Sequence, residues 1–172
     1  MTDTASAPSL KQLALGDLEH ELETTRRVLD RVPEQHLDWK PHAKSFSLGQ
    51  LATHLTQIPY WITITVTQDE LDAAAAPRIE PPATHAEIMS RFDENAAEAR
   101  QALQGADEST FGNNWSLRAG EHVILRMPRL AVLRSFCLSH MIHHRGQLSV
   151  YLRLLDVPVP SIYGPTADEP WF

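Results

Sequence analysis

The feature that most constrains this chain is a helical repeat of apolar residues in four long segments, separated by prolines and helix-capping residues. In the first segment, from about Ser9 to Arg31, apolar residues recur at steps of three and four, and Pro33 then ends the pattern. Each segment must bury its apolar stripe against the others. Four such segments therefore predict an all-α fold, a four-helix bundle.

The starts of the second and third segments carry capping signals. Ser47 is followed three residues later by Gln50, and Thr84 is followed by Glu87, as in a capping box. Pro59 lies inside the second segment, but the apolar period resumes after it. We therefore expect this proline to kink the helix rather than to end it.

The fourth segment is the longest and carries two apolar faces. It runs from Pro128 to about Leu155, which corresponds to about 42 Å of helix. The face predicted to point inward contains Leu130, Leu133, Cys137, His140, His144, Leu148, Tyr151 and Leu155. The second face contains Phe136, Val150 and Leu154. Since one bundle does not cover both faces, the pattern favours a homodimer.

Two further stretches lack a helical period. The segment Asn113–Arg126 has two short apolar runs flanking an Ala-Gly pair, which predicts a short hairpin or an irregular excursion before the last helix. The final segment after Leu155 contains four prolines and no period, so we expect an extended strap over the bundle. The whole chain, residues 1–172, is predicted to form a single domain.

Composition narrows the classes of function. The net charge of −7 argues against nucleic acid or an anionic membrane as the main partner, because both require a basic face. Cys137 is the single cysteine, so a disulfide-stapled secreted fold is not expected. The N-terminal residues do not resemble a signal peptide, and no apolar run is long enough for a membrane span. These features predict a cytoplasmic protein.

The nine histidines are the unusual part of the composition. His140 and His144 are one turn apart on the inward face of the last helix, and His54 lies on the inward stripe of the second helix. Buried imidazoles need partners, and facing helices commonly build metal sites from such sets. The pattern predicts a divalent metal bound by His54, His140 and His144, with positions left open for water or substrate. The alternative is that the pair arose by chance and is satisfied by other groups.

Neighbouring residues are assigned weaker roles. His143 is expected at the surface or at an interface, and Cys137 is expected to be a small buried apolar residue rather than a ligand. Arg145 flanks the ligand face and is expected in solvent or in an interhelical hydrogen bond. Met141 stands where an HExxH zinc protease has its glutamate, which disfavours a peptidase. The sequence contains no phosphate-binding or dinucleotide-binding glycine motif.

Two stretches resemble the DinB-like family of four-helix-bundle proteins. They are SFSLGQLATHLTQIPYW and RSFCLSHMIHHRGQLSVYLRLLDVPVPSIYGPTADE, and the most specific element is the HxxxHRGQ run from His140 to Gln147. The resemblance spans nearly the whole chain. It implies a homodimer with a divalent metal on three histidines, which match His54, His140 and His144 here.

The resemblance implies several possible functions. Some relatives are metal-dependent S-transferases of low-molecular-weight thiols such as glutathione, mycothiol or bacillithiol. We therefore expect a metal-dependent enzyme that activates a small thiol, with zinc or nickel as the metal and no catalytic residue assigned. The alternatives are a metal-dependent hydrolase and a non-enzymatic metal-binding protein of the stress response.

Overall fold

The framework of the molecule is four long helical segments. A computed structural model describes residues 7, 9–77 and 79–170. Its helices are α1 (Leu10–Leu29), α2 (Leu48–Thr67), α3 (His85–Gly105), α4 (Arg129–Val132) and α5 (Ser139–Leu154), and a π-helical segment (Leu133–Leu138) joins α4 to α5 into one continuous helix. The predicted predominantly α fold is confirmed. None of the helices in these residues has the length and hydropathy that a membrane span requires.

The helices α2 and α3 begin where predicted, but their capping hydrogen bonds differ. At α2, Ser47 Oγ accepts from Gln50 N at 3.1 Å and Gln50 Oε1 accepts from Ser47 N at 2.8 Å, which completes the capping box. At α3, Thr84 Oγ1 accepts from Glu87 N at 3.2 Å, but Glu87 Oε2 accepts from Ala83 N instead. Only half of the second predicted box is therefore formed.

Pro59 lies inside α2, and the helix continues past it to Thr67, as predicted. Because proline has no N–H, the carbonyl of Leu55 loses its helical partner. In the neighbouring turn, Asn95 Nδ2 of α3 donates to the carbonyl of Thr56 at 2.8 Å. This hydrogen bond ties α3 to the interrupted part of α2.

A three-stranded sheet packs against one end of the bundle. The strands β1 (Glu70–Asp72), β2 (Asn114–Ala119) and β3 (His122–Pro128) lie in the order β1-β2-β3, with β1 parallel and β3 antiparallel to β2. Gly120 takes a positive φ of 59° in the tight turn, which favours glycine. The hairpin prediction is confirmed. The strand β1 was not predicted, because three residues are too short to show an alternating pattern.

The last described residues form the predicted strap without regular secondary structure. Two of its carboxylates hold it in place. Asp168 Oδ2 accepts from Val159 N at 2.9 Å, and Glu169 Oε2 accepts from Ser161 N at 2.8 Å and pairs with Arg27 of α1. The strap therefore binds back onto α1.

The π-helical segment changes which face of the last helix is buried. A π turn holds about one residue more than an α turn, so the residues after it change their position around the helix. After this segment the buried side chains of α5 are Met141, Arg145, Leu148 and Leu152. The prediction that His140 and His144 point to the centre of the bundle is wrong, because both are only half-buried and lie at the edge of the core.

Candidate metal centre

Three histidines from two helices converge at the edge of the core. His54 comes from α2, and His140 and His144 come from successive turns of α5. His140 Nε2 lies 3.1 Å from His54 Nε2 and 2.8 Å from His144 Nε2. One ligand atom from each residue can be chosen so that all three lie within 4.8 Å of one another. The structure thus brings together the three histidines that the sequence singles out.

The spacing of these nitrogens suits a divalent cation. Zinc binds imidazole nitrogen at about 2.0–2.1 Å, and a tetrahedral angle then places two ligand nitrogens about 3.3 Å apart. The two nitrogen–nitrogen distances, 3.1 and 2.8 Å, are slightly shorter than this value. A small outward movement of the side chains would give the coordination distance. The donor set therefore fits a metal such as zinc or nickel.

A neighbouring amide fixes the chemical form of one ligand. His144 Nδ1 lies 2.7 Å from Gln147 Oε1, which can only accept a hydrogen bond. His144 Nδ1 must therefore carry the proton when the ring is neutral, and His144 Nε2 presents its lone pair to the cluster. In many metal sites, a hydrogen bond to the other ring nitrogen orients the ligating histidine in this way.

Burial keeps the cluster neutral. Burial, together with smaller contributions from the nearby His144 and His140, lowers the pKa of His54 from 6.5 to about 4. Burial also lowers the pKa values of His140 and His144. Among the described residues the cluster contains no carboxylate. Three neutral rings whose Nε2 atoms meet at one point attract a cation, because any added positive charge has lone pairs on every side.

Aromatic rings flank the histidines. The Trp61 ring lies 5.4 Å from the rings of both His54 and His140 and stacks on Phe136 at 5.3 Å. The ring of the half-exposed Phe46 also lies 5.9 Å from that of His54. The prediction that Phe136 belongs to an outward face is therefore wrong, because Phe136 packs between Trp61 and the sheet residue Trp115.

The residues given weaker roles stay outside the cluster. His143 is exposed, as predicted, although its ring contacts that of His144. Cys137 is fully buried, and burial raises the pKa of its thiol to about 12. This thiol therefore remains protonated at neutral pH, which agrees with its expected role as a small apolar residue.

Arg145 is not in solvent but forms the interhelical hydrogen bonds that were the alternative expectation, because its Nη1 donates to Glu21 O and Thr25 Oγ1 of α1. It is 1% exposed and, as the residue after His144, lies about 100° around α5 from that histidine. Its Nη1 is 2.7 Å from Glu21 Oε2 in an ion contact, and its Nη2 donates to Tyr163 Oη at 2.7 Å. Tyr163 Oη in turn donates to Glu21 Oε1 at 2.7 Å. The signal for burial was the spacing of Met141, Arg145 and Leu148 at steps of four and three.

The fold and the site together define a class: a helical-bundle protein with a candidate metal centre of three histidines. The family model of the DinB family matches residues 4–170, so the chain belongs to the DinB family. It is 25% identical over 155 residues to the uncharacterized protein YrdA of Bacillus subtilis, a match that covers 90% of this chain and 89% of YrdA.

Two solved structures share the fold. The DinB-like protein YjoA of Bacillus subtilis has a TM-score of 0.69 at 14% identity, covering 87% of this chain and 96% of that protein. A DinB-like protein of Bacillus cereus has a TM-score of 0.70 at 23% identity, covering 87% and 95%. The predicted family and the bundle fold are thus confirmed.

Proposed function

We propose that this protein is a divalent-metal-dependent enzyme that transfers a low-molecular-weight thiol to an electrophile. In this proposal His54, His140 and His144 hold the metal, with zinc or nickel as the preferred ion. The observation that carries the proposal is the convergence of three Nε2 atoms at 2.8 and 3.1 Å without a carboxylate among them. A bound divalent ion would supply the positive charge that lowers the pKa of a thiol in the site.

The protein itself determines the protonation state of the histidine ligands. The hydrogen bond to Gln147 Oε1 keeps the proton of His144 on Nδ1 and leaves Nε2 free. Burial keeps His54 unprotonated at neutral pH. Both effects preserve ligand lone pairs, so metal binding would not have to displace protons near pH 7.

The absence of an acid in the cluster favours a thiol over a peptide as substrate. Hydrolysis of a peptide by an HExxH-type site uses a glutamate as the general base. Here Met141 occupies that position and is fully buried. A thiol is far more acidic than water, so its activation by a metal needs less help from a protein base.

The metal site can be tested by binding alone. We expect His54→Ala and His140→Ala to abolish stoichiometric zinc or nickel binding, measured by elemental analysis and isothermal titration calorimetry. His143→Ala is the matched control, because His143 is exposed and adjacent to the cluster but not part of it. Unchanged metal stoichiometry in His54→Ala would contradict the three-histidine site.

The reaction can be tested with metal-loaded protein, a panel of thiols (glutathione, mycothiol, bacillithiol and cysteine) and a panel of electrophiles. We expect metal-dependent conjugation with at least one pair and none with His140→Ala. Ester hydrolysis without conjugation would instead indicate a metal-dependent hydrolase. Metal binding without either reaction, together with a change in fold or assembly on metal removal, would indicate a non-enzymatic metal-binding stress protein.

We further propose a homodimer that forms through the exposed face of α5. Val150 and Leu154 lie one turn apart on this face and are 57% and 58% exposed. Leu154→Glu should convert a dimer into a monomer, measured by light scattering after size-exclusion chromatography. Val123→Glu, on the exposed β3 strand, is the control and should leave the assembly unchanged. A wild-type protein that is monomeric at all concentrations would contradict this proposal.

A further inference from the structure

One face of α2 continues beyond His54 in both directions. Gln50, Gln57 and Trp61 lie four residues before, three after and seven after His54, so helical geometry places all of them on the same side as this histidine. The aromatic ring of Trp61 contacts two of the three histidines.

A small pocket opens on this face directly beside His54. Its volume is about 160 Å³, which is close to the volume that accommodates a benzene ring. The apolar part of its lining is Phe46, Ile79 and Pro81. The ring centroid of Phe46 lies 5.9 Å from that of His54.

The remaining lining of the pocket is polar but uncharged. Gln50 and Thr53 direct their side chains to the backbone of their own helix, where they bond to Ser47 N and Gly49 O. Gln57 makes no side-chain hydrogen bond within the described part of the chain, so its amide is available to a ligand. No Asp, Glu, Lys or Arg among the described residues lines the pocket.

We infer that the pocket beside His54 binds an uncharged aromatic electrophile, which serves as the acceptor of the thiol; this inference rests on the proposed function. Phe46 offers its ring to an aromatic ligand, and Gln57 offers one neutral hydrogen bond. In the metal-free protein, a carboxylate in the same place would lose its hydration without gaining a cationic partner from the described lining residues. These residues therefore favour an uncharged ligand over an anion.

The transfer of the thiol to such an acceptor conserves atoms and electrons. With a benzylic chloride, the thiolate sulfur forms a bond to the benzylic carbon while the carbon–chlorine bond breaks. Chloride leaves with the bonding electron pair, and the proton of the original thiol passes to solvent. No oxidant or reductant is required.

The binding part of the inference is tested without metal or reaction. Methyl 4-methylbenzoate and the 4-methylbenzoate anion have nearly the same shape but differ in charge, and equilibrium dialysis gives the affinity of each. We expect the neutral ester to bind about tenfold tighter than the anion. Equal affinities, or tighter binding of the anion, would overturn the inference.

Four variants test the roles of the individual residues. Phe46→Leu should weaken ester binding about tenfold, because it removes the ring that lines the pocket, whereas Phe46→Tyr should retain most of the affinity. Tyr60→Leu is the matched control, since Tyr60 is an aromatic residue of α2 with similar exposure (41% against 49% for Phe46) that does not line the pocket; it should change affinity less than twofold. Gln57→Lys should bring the affinities of ester and anion close together. Unchanged selectivity in Gln57→Lys would contradict the assignment of this pocket.

The acceptor role is then tested with the reactive pair, methyl 4-(chloromethyl)benzoate and 4-(chloromethyl)benzoate. We expect conjugation of the ester to be about tenfold faster in kcat/KM, a preference that Gln57→Lys removes. Equal rates for both would leave the transferase function intact and overturn the pocket assignment. Selective binding of the ester with no conjugation of any electrophile would overturn both the proposed function and the acceptor role.

Discussion

Consecutive residues of α5, His144 and Arg145, belong to two polar clusters of opposite character. His144 points to His54 and His140, where three neutral rings meet without an acid. Arg145 points into the core towards α1, where Glu21 neutralises its charge. Both clusters are built from polar side chains packed into or beside the apolar core.

The two clusters differ in whether their charged or polar groups find partners within the chain. The guanidinium of Arg145 has its anion in Glu21 and further hydrogen bonds to Thr25 Oγ1 at 3.2 Å and Tyr163 Oη at 2.7 Å. The histidine cluster, by contrast, directs three ring nitrogens at one point and provides no cation. The comparison indicates that the arginine cluster joins α5, α1 and the strap, whereas the histidine cluster has the donor set of the metal site that we propose.

The largest effect should come from opening the arginine cluster. Arg145→Met leaves the carboxylate of Glu21 buried without a counter-charge, and breaking a buried ion pair in this way costs about 3–5 kcal/mol. The free energy of unfolding, measured by urea denaturation, should fall by this amount. The double variant Arg145→Met/Glu21→Leu should recover much of the loss, because it removes both charges.

The control for this prediction is an ion pair in solvent. Arg134 and Asp17 form an ion pair with side chains 70% and 55% exposed. Arg134→Met should therefore cost less than about 1 kcal/mol. If Arg145→Met is no worse than Arg134→Met, the buried cluster does not hold α5 in place as we describe.

The difference between the clusters also shows what the sequence could predict. The residues His54, His140 and His144 were recognisable because their spacing matches a helix and their side-chain chemistry matches a metal. The helix starts were recognisable at Ser47 and Thr84, because capping depends on a few neighbouring residues.

The arginine cluster was not predictable in the same way. Whether a π-helical segment forms before α5 depends on packing against other helices. The residues Leu133–Leu138 contain no local sequence pattern that predicts it. The π-helical segment shifted the buried face by about one residue, so that Arg145 entered the core and His144 moved to its edge. The partners Glu21 and Tyr163 are distant in sequence from Arg145 and have no spacing that links them to it.

The second prediction is that the metal-free protein loses stability as the pH falls. Burial lowers the pKa of His54 to about 4 in the folded state, whereas the unfolded value is near 6.5. Below about pH 6.5 the unfolded chain binds a proton that the folded chain does not, so stability falls as pH falls towards 4. We expect this site to contribute a loss of about 1–3 kcal/mol over that window.

The measurement is urea denaturation of wild type and His54→Asn between pH 4 and pH 7. The difference between the two proteins isolates this site from the other histidines. His54→Asn should show the shallower pH dependence. Parallel curves would mean that His54 is protonated as readily in the folded protein as in the unfolded chain.

The third prediction is that the histidine cluster gains stability from metal. An ion that binds only the folded state, at a concentration one hundred times its Kd, stabilises a protein by about 2.7 kcal/mol. Zinc or nickel should raise the melting temperature of wild type and of His143→Ala. The same additions should not raise that of His140→Ala. Equal stabilisation of all three proteins would place the metal elsewhere.

The smallest effect should come from Gln147, which contacts the histidine cluster only through its hydrogen bond to His144. It is an exposed side chain, so its loss should leave the stability of the metal-free protein almost unchanged. Its Oε1 nevertheless fixes the proton on His144 Nδ1 at a distance of 2.7 Å. Loss of such a contact typically weakens metal binding about 10–100-fold, equivalent to about 1.4–2.7 kcal/mol.

Two substitutions at this position separate orientation from packing. Gln147→Ala removes the acceptor and should weaken metal binding in a calorimetric titration. Gln147→Glu keeps an acceptor oxygen, adds a negative charge near the ligand and should bind metal at least as tightly as wild type. If both variants weaken binding equally, the contribution of Gln147 is not its hydrogen bond. If neither does, His144 is oriented by the packing of α5 alone, and the arginine cluster would then be the main determinant of the geometry of the histidine cluster.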